Sequence, residues 1–154
     1  MITFLLIVHG LLAVALLGAI THQTLSVWWP KRKGSGSFVA RFRSVAAAPY
    51  TNAIVVLYLM TAILGGIIYP EFRVSIRGVV EELDHHAVMG AFELKEHFIM
   101  IGMALLPAYW LFWRAPLAEQ YAKTRAALTI ILAFIVWWGF LVGHVINNIR
   151  GFAS

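Results

Sequence analysis

Few side chains in this sequence can do chemistry, and histidine leads them. His9, His97 and His144 fall inside or at the edge of long apolar segments, in a chain of 154 residues that is 61% hydrophobic and has no cysteine. An imidazole at membrane depth is costly and faces a bundle interior or a cavity, so each one marks a candidate site. Imidazole is the usual protein ligand of haem iron and also suits copper. The lack of cysteine excludes a disulfide frame, a thiolate metal site and an iron–sulfur cluster bound by this chain. No nucleophile–base pair or phosphate-binding loop is present, so a self-contained catalytic function is not expected. A place as one subunit of an oxidoreductase complex stays open.

The elements that must position these histidines are read from hydropathy. The mean hydropathy is +0.81. Four apolar segments cover about residues 2–28, 45–69, 97–113 and 126–149. Each is near or above the ~17 residues that cross ~30 Å of hydrocarbon as a helix. The third is the shortest, and it is expected to begin earlier, as a helix through residues 87–96 outside the hydrocarbon. Strict alternation of the barrel kind is absent. The expectation is an all-α fold, a single four-helix transmembrane bundle over residues 1–154 with its backbone hydrogen bonds made inside each helix.

Charge sets the expected orientation. The first loop carries Lys31, Arg32, Lys33, Arg41 and Arg43 and no acid, and the third carries Arg114, Lys123 and Arg125 against Glu119. The second holds Glu71, Glu81, Glu82 and Asp84 against Arg73 and Arg77. Positive loops stay in the cytoplasm. Both termini and the second loop are then periplasmic, in the inner membrane of a bacterium. The first segment lacks a basic stretch before its apolar run and is read as a retained helix rather than a cleaved signal. The net charge of +5 sits mostly in one loop, where it meets anionic lipid, so nucleic acid is not an expected partner.

Helix boundaries follow from proline and aromatic residues. Trp28-Trp29-Pro30 is expected to stop helix one, Tyr69-Pro70 helix two, and Ala115-Pro116 to break the chain before helix four. Pro107 falls inside helix three, where a kink is expected. Between them, residues 78–89 set Glu81, Glu82, Asp84, His85 and His86 among Val79, Val80, Leu83 and Val88. That pattern predicts an amphipathic segment on or above the periplasmic surface. Glu93, Lys95 and Glu96 follow, as a solvated helix end, a docking face for another subunit, or part of a proton path.

Depth brings the three histidines together. His9 lies about seven residues and His144 about five residues inside the outer ends of their helices, and His97 opens the apolar part of helix three, so all lie within roughly 10 Å of one boundary. Helices packed ~8–10 Å apart can bring such side chains onto one site. The expected cofactor is one haem b, held by His9 and His144 or with His97 in place of one, with Arg73, Arg77 and Arg150 beside its propionates. Copper on His9, His97 and His144 is the alternative, and no cofactor at all is the third. His85 and His86 are weaker candidates, one of which could replace His97.

His22 follows His9 by thirteen residues. Paired histidines on one helix hold two stacked haems in dihaem cytochromes b. At ~100° per residue a spacing of fourteen returns to within about 40° of the same face, whereas thirteen leaves the side chains about 140° apart. One haem is therefore expected, and His22 is expected to pack near Gln23.

The stretches IVHGLLAVALLGAITHQTL, RFRSVAAAPYTNAIVVLYLMTAILGGIIY and ELKEHFIMIGMALLPAYWLFWR resemble a superfamily of small helical membrane proteins. It includes the copper-resistance D family and the membrane-bound protoporphyrinogen oxidases. The matching positions are His9 in helix one, Arg41-Phe42 with Gly65 in helix two, and Lys95 opening the next helix. The resemblance implies a helical bundle with haem binding or copper handling at the outer face. The chain departs from the pattern in lacking a tryptophan shortly after the first histidine and a methionine-rich copper face.

The leading expectation is a haem b membrane protein passing electrons between the quinone pool or a membrane partner and a periplasmic redox protein, within a larger complex. A cofactor-free structural subunit and a copper-handling protein are the alternatives.

Overall fold

The chain is described by a computed structural model over residues 1–28, 47–114 and 119–152, the side chains of 147–152 excepted. The basic cluster Lys31, Arg32, Lys33, Arg41 and Arg43, the helix stops at Pro30 and Pro116, and the side chain of Arg150 lie outside the described residues.

Four long helices make the molecule, and no strand occurs among the described residues. Helix α1 spans Ile2–Trp28, matching the first apolar segment. Helix α2 spans Tyr50–Phe72 and runs through a wide π turn at Arg73–Arg77 into a short helix α3 at Gly78–Glu82. Helix α4 covers His86–Arg114, so the expected extension before the apolar stretch is present. A 3₁₀ turn at Glu119–Tyr121 leads into α5, Ala122–Phe152. All four are long and apolar enough to cross a membrane, consistent with an integral membrane protein.

The helices close a ring in the order α1, α2, α4, α5, with α1 against both α2 and α5 and α4 against both α5 and α2. The interior is built from Leu16 and Ile20 of α1, Ile54 and Tyr58 of α2, Leu106 and Tyr109 of α4, and Leu132 and Ile135 of α5. Large apolar side chains cover the outside too, among them Phe4, Leu11, Ile63, Met100, Phe134 and Leu141. Helices apolar all round suit lipid contact rather than water. The Tyr58 hydroxyl donates across the bundle to the Ile99 carbonyl at 2.8 Å. It reaches that carbonyl only because Gly102 has no side chain, since a Cβ there would collide with the phenol.

One boundary differs from the sequence reading. Pro70 does not end the second helix but lies inside it. A proline removes one intrahelical bond and crowds the carbonyl four residues back. Here tertiary partners beyond it reward continuation. Phe72 stacks on Phe92 of α4 at 4.1 Å between ring centroids, and Tyr69 on the same ring at 6.3 Å. Arg77 then bridges Glu81 at 2.7 Å and Glu93 of α4 at 3.1 Å. The amphipathic stretch expected over residues 78–89 takes the form of a helical hairpin at the end of the bundle. Asp84 turns the chain with φ 57°, its amide donates to Glu81 and the His85 amide to Val80. That is the Schellman pattern, in which a residue of left-handed conformation closes the helix end. Aspartate tolerates this conformation better than most residues.

Candidate functional site

The ends of the bundle hold two polar layers. At one end His9 of α1 lies against Gly65 of α2, where a Cβ would stand 3.3 Å from the imidazole Cε1. The missing side chain makes room for the ring. The main-chain carbonyl of Thr61, one helical turn away, is in hydrogen-bonding contact with it. The Nδ1 atom of His9 is buried and has no hydrogen-bond partner.

Lys95 of α4 completes this layer, close enough for its charge to act on the His9 ring. Its stem crosses the bundle to Gly139 of α5, where a Cβ would meet Cγ at 3.9 Å, and its ammonium lies 4.0 Å from the centre of the Phe92 ring. The ring face offsets part of the cost of taking a cation from water. None of the carboxylates that form ion pairs among the described residues pairs with Lys95. The layer is thus an imidazole with an unpartnered nitrogen beside an ammonium that makes no direct ion pair among the described residues and feels the Glu96 carboxylate only at longer range. Such an arrangement suits a ligand with a metal or proton to share with His9 and a negative group for Lys95.

The other expected members sit around this layer rather than in it. His97 is exposed, and its Nδ1 lies 2.7 Å from the Glu93 carbonyl one turn back. That contact orients the ring and leaves Nε2 outward, the second-sphere pattern common to ligating histidines. His144 is exposed and stacks parallel on Phe140 at 6.3 Å. Among the described residues no three histidine, aspartate or glutamate side chains gather to hold a metal ion. Arg77 is held by Glu81 and Glu93, and Arg73 is exposed. His85 and His86 are exposed in the hairpin turn, His86 lying 3.5 Å from Asp84. His22 is buried and stacks on Tyr50 at 4.6 Å.

The second layer was not anticipated. Gln23 of α1 is fully buried, and its amide donates to Thr51 Oγ1 of α2 at 3.2 Å and to the Ala47 carbonyl at 3.1 Å. The Tyr109 hydroxyl of α4 donates to its carbonyl oxygen. Every polar atom of the glutamine therefore has a partner. Around it Trp113 donates to Thr129 at 3.1 Å and Thr129 to the Arg125 carbonyl at 2.7 Å.

A signal for this layer was present in the spacing. His9 and Gln23 are fourteen residues apart, as are Gly65 and Thr51, and Lys95 and Tyr109. Fourteen residues return a helix to nearly the same face, ~21 Å along its axis. The arithmetic that removes His22 as a partner of His9 points instead to Gln23, one residue further. Three helices thus repeat one interior face at two depths.

Comparison with family models, with curated proteins and with solved structures gives no match for this chain.

Proposed function

We propose that this chain is an integral protein of the bacterial cytoplasmic membrane that binds one haem b at its His9 end and serves electron transfer there as part of a larger redox complex. The observation that supports it is the buried His9 nitrogen without a hydrogen-bond partner, within reach of the Lys95 charge. A polar group left open in an apolar interior is expensive unless something completes it.

The residues suit the group. His9 would hold the iron through its open ring nitrogen, and a second ligand from His144 on the adjacent helix α5, or from His97 on α4 across the bundle, would require that exposed side chain to turn inward. Lys95 offers a propionate its counter-charge, a role expected for Arg77, which two glutamates already hold. Gly65 and Thr61 keep the imidazole in place. Haem, when bound, supplies reversible one-electron transfer. The Phe92 ring covers the Lys95 ammonium on one side, and less water there strengthens any pairing made with it. The charge bias of the loops supports a periplasmic His9 end, where a redox protein would dock on the hairpin of Glu82, Asp84, His85 and His86.

A second reading is a cofactor-free subunit that anchors a larger complex. It is favoured by the outward exposure of His97 and His144, which then contact a neighbouring subunit. A reduced-minus-oxidised visible spectrum of the chain purified after expression with ample haem separates the two. The haem reading expects the sharp α band of a b-type haem, lost in His9→Ala. A flat difference spectrum refutes it and leaves the second.

A further inference from the structure

The groove between α1 and α5 is independent of the His9 layer. One cavity of about 310 Å³ lies between Thr21, Thr24 and Leu25 of α1 and Ile130, Ala133 and Trp137 of α5. A second, of about 540 Å³, continues from it at Ile130 and runs past Ala126 and Ala127 to Trp28 and Lys123. Alanine on α5 keeps the helices from filling this space.

The wall offers an occupant little to hydrogen-bond. Trp137 donates to Thr21 at 3.0 Å, and Thr24 donates to the Ile20 carbonyl at 2.7 Å. What remains is an apolar channel with a cation at its mouth, since Lys123 is exposed and none of the carboxylates that form ion pairs among the described residues holds it. Trp28, also exposed at the mouth, is a residue type that settles at headgroup level. From Ala126 to Trp137 the channel follows α5 for ~16 Å, about one leaflet of a ~30 Å hydrocarbon core.

We infer that this groove is a binding site for one phospholipid with an anionic headgroup, its phosphate at Lys123 and an acyl chain laid along Ala126, Ala127, Ile130 and Ala133 to Trp137. Charge selects the headgroup, and the channel length selects a single leaflet. An anionic lipid gains on the order of five-fold in affinity from one basic side chain near the surface.

Native mass spectrometry of the delipidated full chain, titrated with phosphatidylglycerol or with phosphatidylcholine of the same acyl chains, tests this. Wild type is expected to retain one phosphatidylglycerol about five-fold more strongly than phosphatidylcholine. Lys123→Gln should weaken phosphatidylglycerol retention about five-fold and leave phosphatidylcholine unchanged, and no change in either overturns the inference. Ala127→Phe, which fills the channel from an exposed position, should lose both, with helicity by circular dichroism unchanged. Equal retention of the two lipids by wild type overturns the inference. So does undiminished phosphatidylglycerol binding in Ala127→Phe, or a wild-type dimer that this substitution breaks, which would assign the groove to a second copy of the chain.

Discussion

The two polar layers of this bundle share three helices and one interior face, yet they are finished differently. In the layer of Gln23, Thr51 and Tyr109 each side chain satisfies another. In the layer of His9, Gly65 and Lys95 the imidazole keeps an unpartnered nitrogen and the ammonium makes no direct ion pair among the described residues. Polar groups are equally costly at both depths in an apolar surround. A closed network recovers that cost within the fold and locks the helices in register. An open one recovers it only with something added. The contrast separates a structural layer from a candidate site without appeal to residue type alone, since glutamine and histidine are both polar intruders in α1.

Substitutions should therefore act differently at the two ends. The largest effect is expected for His9→Ala, which should abolish the haem difference spectrum while leaving the unfolding temperature of the cofactor-free protein close to wild type. If the spectrum survives, His9 is no ligand. Gln23→Leu should do the reverse. It should keep the spectrum and lower stability by about 2 kcal/mol, read from thermal or denaturant unfolding in detergent, because three bonds made by the buried amide go and the Ala47 carbonyl loses its side-chain donor. Gly65→Ala puts a Cβ against the His9 ring and should weaken cofactor affinity on the order of ten-fold in a haem titration. Lys95→Met should raise the stability of the cofactor-free protein by about 1 kcal/mol, as removal of an ion with no direct ion pair among the described residues allows, while weakening haem retention. A fall in stability would show that the ammonium is already satisfied. Arg77→Gln should have the smallest effect, a slight, salt-sensitive drop in unfolding temperature, since its pairs with Glu81 and Glu93 are open to solvent.

Much of this was legible before any coordinates. Hydropathy places the four helices, and α1 begins and ends where its apolar run does. His9, Gly65 and Lys95, matched only through short motifs, lie together. Other features were not legible. Pro70 reads as a helix stop because local chemistry says so, and the ring stack with Phe92 and the Arg77 pairs that carry the helix past it are contacts with a different helix. Depth along an axis places His97 and His144 near the level of His9, but depth says nothing about azimuth, and both point outward. The Gln23 layer carries no signal residue by residue, because glutamine, threonine and tyrosine are each common in membrane helices' polar contacts.

By itself the sequence determines the class of the molecule. Runs of apolar residues of membrane-crossing length admit only helices in which every backbone group is paired, and the rarity of polar side chains shortens the roll of candidates for chemistry. Only the tertiary structure decides which of those candidates are completed by the fold and which are left open. Partnership is a relation between residues more than twenty positions apart, such as Gln23 with Thr51 or His9 with Lys95, and it depends on the register and rotation of packed helices, which no one helix encodes.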